Sequence, residues 1–251
     1  MARLAGKSAI VTGAGQGVGR GIALALAREG ASVAVTGRTL SKCQRTVAEI
    51  EATGGTAMAL ACDVANRADV DAVTGQVAEA FGGITILVNN AHTSRPLTAL
   101  ADTSDADMAL AMAGFHGAFH FMQACLPHLR VDGGSVINLG SVAGMRGDSG
   151  FASYAAAKEA IRAMSRVAAR EWGGWGITVN TICPFSDSPG IDYMLAKNPG
   201  FIAELTAETV LGRLGSSEAD VGRTAVWLAS ADGAFVTGQT INVDGGIWIA
   251  P

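Results

Sequence analysis

Seven short apolar runs, at positions 8–12, 32–36, 56–61, 85–89, 134–140, 177–182 and 239–243, punctuate the chain. They are rich in Val and Ile and bounded by turn-forming residues, the pattern of strands buried on both faces of a sheet. Between most of them lie longer segments, 18–28, 41–52, 68–81, 105–129, 152–172 and 218–229, whose apolar positions repeat with a helical period. Strands and helices that alternate in this way connect by right-handed crossovers into a parallel sheet with helices on both faces. The predicted fold class is α/β, with seven strands in one doubly wound sheet. In such a sheet ligands bind outside the carboxyl ends of the strands, where the strand order reverses.

Composition narrows this picture. A chain of 251 residues is long enough for two domains, but it has no Pro/Ser linker, charge block or low-complexity tract to divide it, so a single domain is expected. A hydrophobic share of 49% fits a sheet covered on both sides. The formal charge of −4 disfavours nucleic acid or an anionic membrane as a main partner. Cys43, Cys62, Cys125 and Cys183 are scattered, without CxxC or metal-ligand spacing, so they read as buried, reduced cysteines and no metal is expected. The first strand begins almost at once, and the apolar run there is too short for a signal peptide or a membrane span. A cytoplasmic enzyme is expected.

Two clusters carry candidate chemistry. Thr12-Gly13-Ala14-Gly15-Gln16-Gly17-Val18-Gly19 links the first strand to the first helix. Its glycines allow a tight turn and close backbone approach to a pyrophosphate, with helix N-terminal amides facing the charge. Much later, Tyr154 and Lys158 stand four apart in a predicted helix and share a face, thirteen residues after Ser141. An ammonium near a phenol favours its ionised form. That combination suits proton transfer to a carbonyl oxygen.

These motifs, with Asp63-Val64, Asn89-Asn90-Ala91 and the closing Thr237-Gly238-x4-Val243-Asp244-Gly245-Gly246, resemble the short-chain dehydrogenase/reductase family over nearly the whole chain, in particular its 3-oxoacyl-ACP-reductase-like members. The resemblance implies a Rossmann-type fold with strand order 3-2-1-4-5-6-7 and an NAD(P)(H)-dependent oxidoreductase that interconverts a carbonyl and a secondary alcohol. It assigns Tyr154 as general acid/base, Ser141 as the group orienting the substrate oxygen, and Lys158 as the residue that tunes Tyr154 and binds the nicotinamide ribose. It places Gly13, Gln16, Gly17, Val18, Gly19, Arg38, Asp63, Val64, Asn90, Tyr154, Lys158 and Pro184 around the cofactor. Asp63 competes for a turn or N-cap role, and Asn89 and Asn90 are as much sheet-stabilising as functional. Gly37 stands where an NAD-preferring member has aspartate, and Arg38 follows it, so NADP(H) is favoured over NAD(H). A homotetramer or homodimer is implied, with Phe119, Phe121, Trp172, Trp227 and Trp248 as candidate surface apolar residues.

Three departures mark this chain. Gly114 replaces the family's helical asparagine, a loss that would slow the proton relay unless the freed space admits another water. His92 replaces the glycine of Asn-Asn-Ala-Gly, on a loop where it could contact substrate, take over part of the relay or project into solvent. Pro184-Phe185 replaces Pro-Gly, Pro189 stands at the place of a threonine, and Ser186 and Ser188 are candidate substitutes toward the nicotinamide. A substrate-binding flap is expected at about 185–210, with Phe151, Phe185, Tyr193 and Met194 as apolar lining. The competing readings are a nucleotide-binding regulatory protein without turnover and a non-redox use of the Ser/Tyr pair.

Overall fold

The computed structural model describes residues 2–95, 97–188, 191 and 200–249. The chain runs β1 (Ser8–Thr12), α1 (Gly17–Arg28), β2 (Ser32–Gly37), α2 (Leu40–Ala52), β3 (Ala57–Ala61), α3 (Arg67–Phe81), β4 (Ile86–Asn89) and α4 (Asp105–Asp132). It continues through β5 (Gly134–Leu139), the short α5 (Val142–Arg146), α6 (Ala152–Trp172), β6 (Ile177–Pro184), a helix Phe201–Glu208, a π-helical turn Ser217–Gly222 with a short helix Arg223–Ala229, and β7 (Thr240–Val243). All strand pairs are parallel and the order is β3-β2-β1-β4-β5-β6-β7, as expected. The chain reverses direction across the sheet between β1 and β4. The glycine-rich loop and Asn90 therefore meet at the same edge.

The sheet has a core on each face, and successive strand residues feed them in turn. Ala9, Val11, Val33 and Val35 pack with Ile22 and Leu26 of α1 and Ile50 of α2. Ile10, Ala34, Leu87, Val136 and Val179 pack on the other side with Val73, Phe121, Leu129 and Trp172. Phe121 and Trp172 are therefore core residues and not surface ones, whereas Phe119 is exposed. Both belong to the faces of α4 and α6 that turn toward the sheet, which periodicity alone did not separate from the outer faces.

The segment 218–229, expected as one helix, is split between the π turn and the short helix. Close approach to α1 accompanies the split. A Cβ on Gly21 would stand 2.6 Å from the backbone nitrogen of Glu218, a contact with backbone that no rotamer change can relieve. Gly75, on the exposed side of α3, has nothing within 4 Å of the same position. The two glycines should respond to alanine with opposite signs. Gly21→Ala is expected to cost about 2–3 kcal/mol through overpacking, lowering Tm by about 5–10 °C. Gly75→Ala should raise stability by about 0.5–1 kcal/mol through helix propensity. Thermal unfolding of both variants checks this, and a neutral Gly21→Ala would remove the packing account.

Candidate active site

The loop between β1 and α1 turns on Gly13 and Gly17, at φ +65° and +56°, a region that costs side-chain-bearing residues dearly. Gly13 lies against Ala91 and Asn90, so a Cβ there would meet the Ala91 Cα at 2.9 Å. Asn90 braces this loop: its Nδ2 donates to the Thr12 carbonyl at 2.8 Å and to the Gly13 carbonyl at 3.2 Å. Asn89 instead enters the sheet, donating to Asn138 Oδ1 at 2.8 Å, while Asn138 Nδ2 donates to Ser165 Oγ at 2.8 Å. This buried chain ties β4 and β5 to α6.

The loop opens on a cleft of about 620 Å³ at the carboxyl edge of the sheet, within the size range of small-molecule sites. Gly13, Gln16, Gly17 and Val18 line one end, with Arg38, Asp63 and Val64 nearby, and Asn90, Tyr154, Lys158 and Pro184 line the rest. Gly19 lies just behind, against Asn90 and Gly13. The N-cap of α1, Gln16, is extended and makes no side-chain cap, and the first turn of that helix carries no acidic residue. Uncapped amides at the end of a helix, beside glycines where backbone can approach closely, fit a dinucleotide pyrophosphate. Asp63 Oδ1 accepts from the Ala65 amide at 3.1 Å, so it has the turn role as well as a place in the cleft.

At the β2 end of the cleft, Arg38 is exposed and donates from Nη2 to Thr93 Oγ1 at 3.0 Å. Lys42, on the first turn of α2, donates to Gln16 Oε1 at 2.5 Å and also lines the cleft. Lys42 escaped the sequence analysis. Its signal was a cation four residues after Arg38, one helical turn beyond the strand end.

α6 sets the chemical end of the cleft. Lys158, Ile161, Ser165, Ala168, Ala169 and Trp172 form its buried stripe, so the lysine lies on the face that packs on the sheet and is only 5% exposed. Its Nζ donates to the Leu139 carbonyl at 2.8 Å and lies 5.7 Å from the centre of the Tyr154 ring. Burial pulls the Lys158 ammonium down to about 8, a fall that nearby Cys183 partly opposes. Burial raises the Tyr154 phenol above its usual 10; the Ser141 hydroxyl opposes this and Cys183 adds to it. In this structure desolvation of the phenol outweighs the Ser141 hydroxyl; the expected lowering is one that Lys158 exerts together with an oxidised nicotinamide. At neutral pH the site therefore holds a protonated phenol beside a mostly protonated lysine. It is poised to donate a proton.

Ser141 caps α5, accepting from the Ala143 amide at 3.2 Å, with its hydroxyl close enough to influence the phenol. It is half-buried. Phe151 packs on Tyr154 with ring centroids 5.8 Å apart.

Two expectations are narrowed. Ser186 is buried and bonds to Ser217 Oγ at 3.1 Å, tying the strand end to the π turn, so only Ser188 of that pair reaches the cleft. Of the roles expected for His92, projection into solvent is not seen: it lines the cleft, both ring nitrogens are buried without a hydrogen-bond partner, and its ring lies 4.9 Å from that of Tyr154, near perpendicular. The place of a Cβ on Gly114 is taken by this ring. Pro189, Tyr193 and Met194 lie outside the described residues, while the later part of the expected flap holds the helix Phe201–Glu208. Among the described residues no group of three or more His, Cys, Asp or Glu could hold a metal ion, and no helix is long and apolar enough to cross a membrane.

Comparison with known proteins gives a consistent picture. The family model described as enoyl-(acyl carrier protein) reductase matches residues 13–248. A 12alpha-hydroxysteroid dehydrogenase of a Clostridium species is 38% identical over 255 residues, covering 98% of each chain. The 3-oxoacyl-[acyl-carrier-protein] reductase of Staphylococcus aureus is 36% identical over 246 residues, covering 97% of this chain and 98% of its own. The crystal structure of a putative short-chain alcohol dehydrogenase from Sinorhizobium meliloti superposes with a TM-score of 0.91 at 35% identity, covering 97% of each chain.

Proposed function

Since the chain belongs to the short-chain dehydrogenase/reductase family, as an NAD(P)-dependent oxidoreductase, we propose that it interconverts a ketone and a secondary alcohol with Tyr154 as the proton donor and acceptor. The supporting observation is that a protonated phenol and a buried ammonium line the same cleft as the glycine-rich loop. When bound, the dinucleotide supplies or accepts the hydride at the carbonyl carbon. Tyr154 delivers a proton to the oxygen as negative charge develops there, and Ser141 steadies that oxygen and the phenol. Lys158 holds positive charge behind the phenol, which favours the tyrosinate left after donation. Asn90 and the glycines hold the loop in the course that brings amides toward the pyrophosphate.

NADP(H) is the proposed cofactor. Arg38 and Lys42 line the cleft beyond β2 and would pair with a 2′-phosphate there, and Gly37 offers no carboxylate to repel one. The substrate is proposed to be a ketone attached to an apolar body, given Phe151 against Tyr154 and relatives named for a hydroxysteroid and a 3-oxoacyl-[acyl-carrier-protein]. A homo-oligomer is proposed from the exposed apolar residues Phe119, Leu211, Phe235 and Ile249.

The test is oxidation of NADPH or NADH followed by absorbance with oxosteroids, 3-oxoacyl thioesters and simple ketones. NADPH should be preferred, and Arg38→Ala should lower kcat/KM for NADPH by roughly tenfold or more through loss of a charge-assisted pairing, with little change for NADH. Equal losses with both cofactors would sink the 2′-phosphate assignment. Binding of dinucleotide without turnover on any arm would overturn the proposed reaction.

A further inference from the structure

Where the loop after β4 meets α4 and α6, the imidazole of His92 is wedged between two elements that differ in sequence but share a volume. A Cβ on Gly114 would stand 2.6 Å from His92 Nδ1 and 3.4 Å from its Cγ, so the ring already occupies the place of any side chain at 114. On its other side the ring meets Tyr154 near perpendicular, at 81° and 4.9 Å between centroids. α4 runs unbroken through Gly114. The small size of the glycine serves the approach of the imidazole. Both ring nitrogens are buried and without a partner among the described residues. The ring lines the cleft and lies against the proton donor.

We propose that His92 and Gly114 form a compensating pair, in which the imidazole reaches from the loop into the space beside the helical glycine and acts as the positioning residue that holds the Tyr154 ring. The proposal rests on the assignment of Tyr154 as proton donor. Burial, followed by the nearby charge of Lys158, brings His92 down to about 3, so the ring is neutral at working pH and adds no second positive charge beside the lysine. Its contribution is shape. The near-perpendicular contact with His92 at 4.9 Å and that with Phe151 at 5.8 Å both restrict how the phenol ring can turn. Placing an asparagine at 114 in the presence of His92 would push the imidazole into Tyr154. Removing the imidazole alone would leave a void on that side of the phenol.

The experiment is a cycle of His92→Gly, Gly114→Asn and the double variant, with His92→Phe as the shape-preserving control. Each single change should lower kcat by about tenfold while KM moves less than about threefold, the mark of a donor displaced without loss of substrate binding. The double variant should return to within about threefold of the parent, since glycine at 92 clears the room that asparagine needs. His92→Phe should keep kcat within about threefold. Strictly multiplicative single effects in the double variant would overturn the pairing. A tenfold loss in His92→Phe at unchanged Tm would also overturn it, assigning the role to the ring nitrogens. Two further readouts need no substrate. Gly114→Asn should lower Tm and the double variant should recover it. The chain has two tyrosines, so in a Tyr193→Phe background tyrosinate absorbance reports Tyr154 alone. His92→Gly should admit water beside the phenol and bring its raised midpoint down toward 10. If no carbonyl is reduced by any form, the reaction assignment fails, while the Tm cycle and the Tyr154 titration still decide the pair; an unmoved midpoint with additive Tm changes would end it.

Discussion

Tyr154→Phe is expected to lower turnover by about 10²–10⁴-fold, the range for loss of a positioned general acid, while dinucleotide affinity stays within about twofold. The substitution removes one oxygen and leaves the ring. The ring is what meets His92 at 4.9 Å and Phe151 at 5.8 Å, so the packing of the cleft wall should survive. What disappears is the only titratable O–H lining the cleft beside Lys158 among the described residues. Because burial raises this phenol, the parent enters each reductive turnover with the proton in place, and the variant has no equivalent donor. Steady-state kinetics with NADPH measures the loss, and quenching of tryptophan fluorescence by NADPH measures binding. A variant that keeps more than a tenth of parental turnover would show that the proton comes from elsewhere.

The architecture was readable because each strand is a short Val/Ile-rich run and each crossover carries an amphipathic or glycine-marked start. Gly13, Asn90 and Tyr154 fell at strand ends or in the first turns of helices, where a doubly wound sheet collects its ligand-binding groups. What could not be read was three-dimensional complementarity. The π turn at Ser217–Gly222 is set by the Val221 amide donating to the Ser216 carbonyl at 3.2 Å and by the close seat of Gly21 against it, neither of which periodicity records. His92 and Gly114 looked like two separate departures because they lie 22 positions apart in the chain. Their meeting depends on how the loop after β4 folds over α4. Likewise Lys158 falls on the buried stripe of α6, and its depressed titration follows from that burial more than from any neighbour the sequence could supply.

That buried charge leads to an expected trade between stability and function. Lys158 titrates at about 8 instead of 10.5, a difference worth about 3 kcal/mol against the folded state at neutral pH. Lys158→Met keeps the volume and removes the charge. It also leaves the Leu139 carbonyl without the 2.8 Å bond from Nζ, at a cost of about 1–2 kcal/mol. The balance favours the variant by about 1–2 kcal/mol at pH 7, or a few degrees in Tm. Turnover should nevertheless fall by about a hundredfold or more, because the tyrosinate left by proton donation loses its positive neighbour. The sign of the pH dependence follows from the lowered titration. Below about pH 8 both folded and unfolded chains carry the proton and the penalty is constant; between about 8 and 10.5 the unfolded chain alone carries it, so this lysine makes parental stability rise with pH. The methionine variant lacks that rise, and its advantage should shrink from pH 7 to pH 9.5. Denaturant unfolding at these two pH values reads both effects. A variant less stable than the parent at pH 7 would mean that the carbonyl bond outweighs the desolvated charge, and that the lysine is held in the core by structure as well as by catalysis.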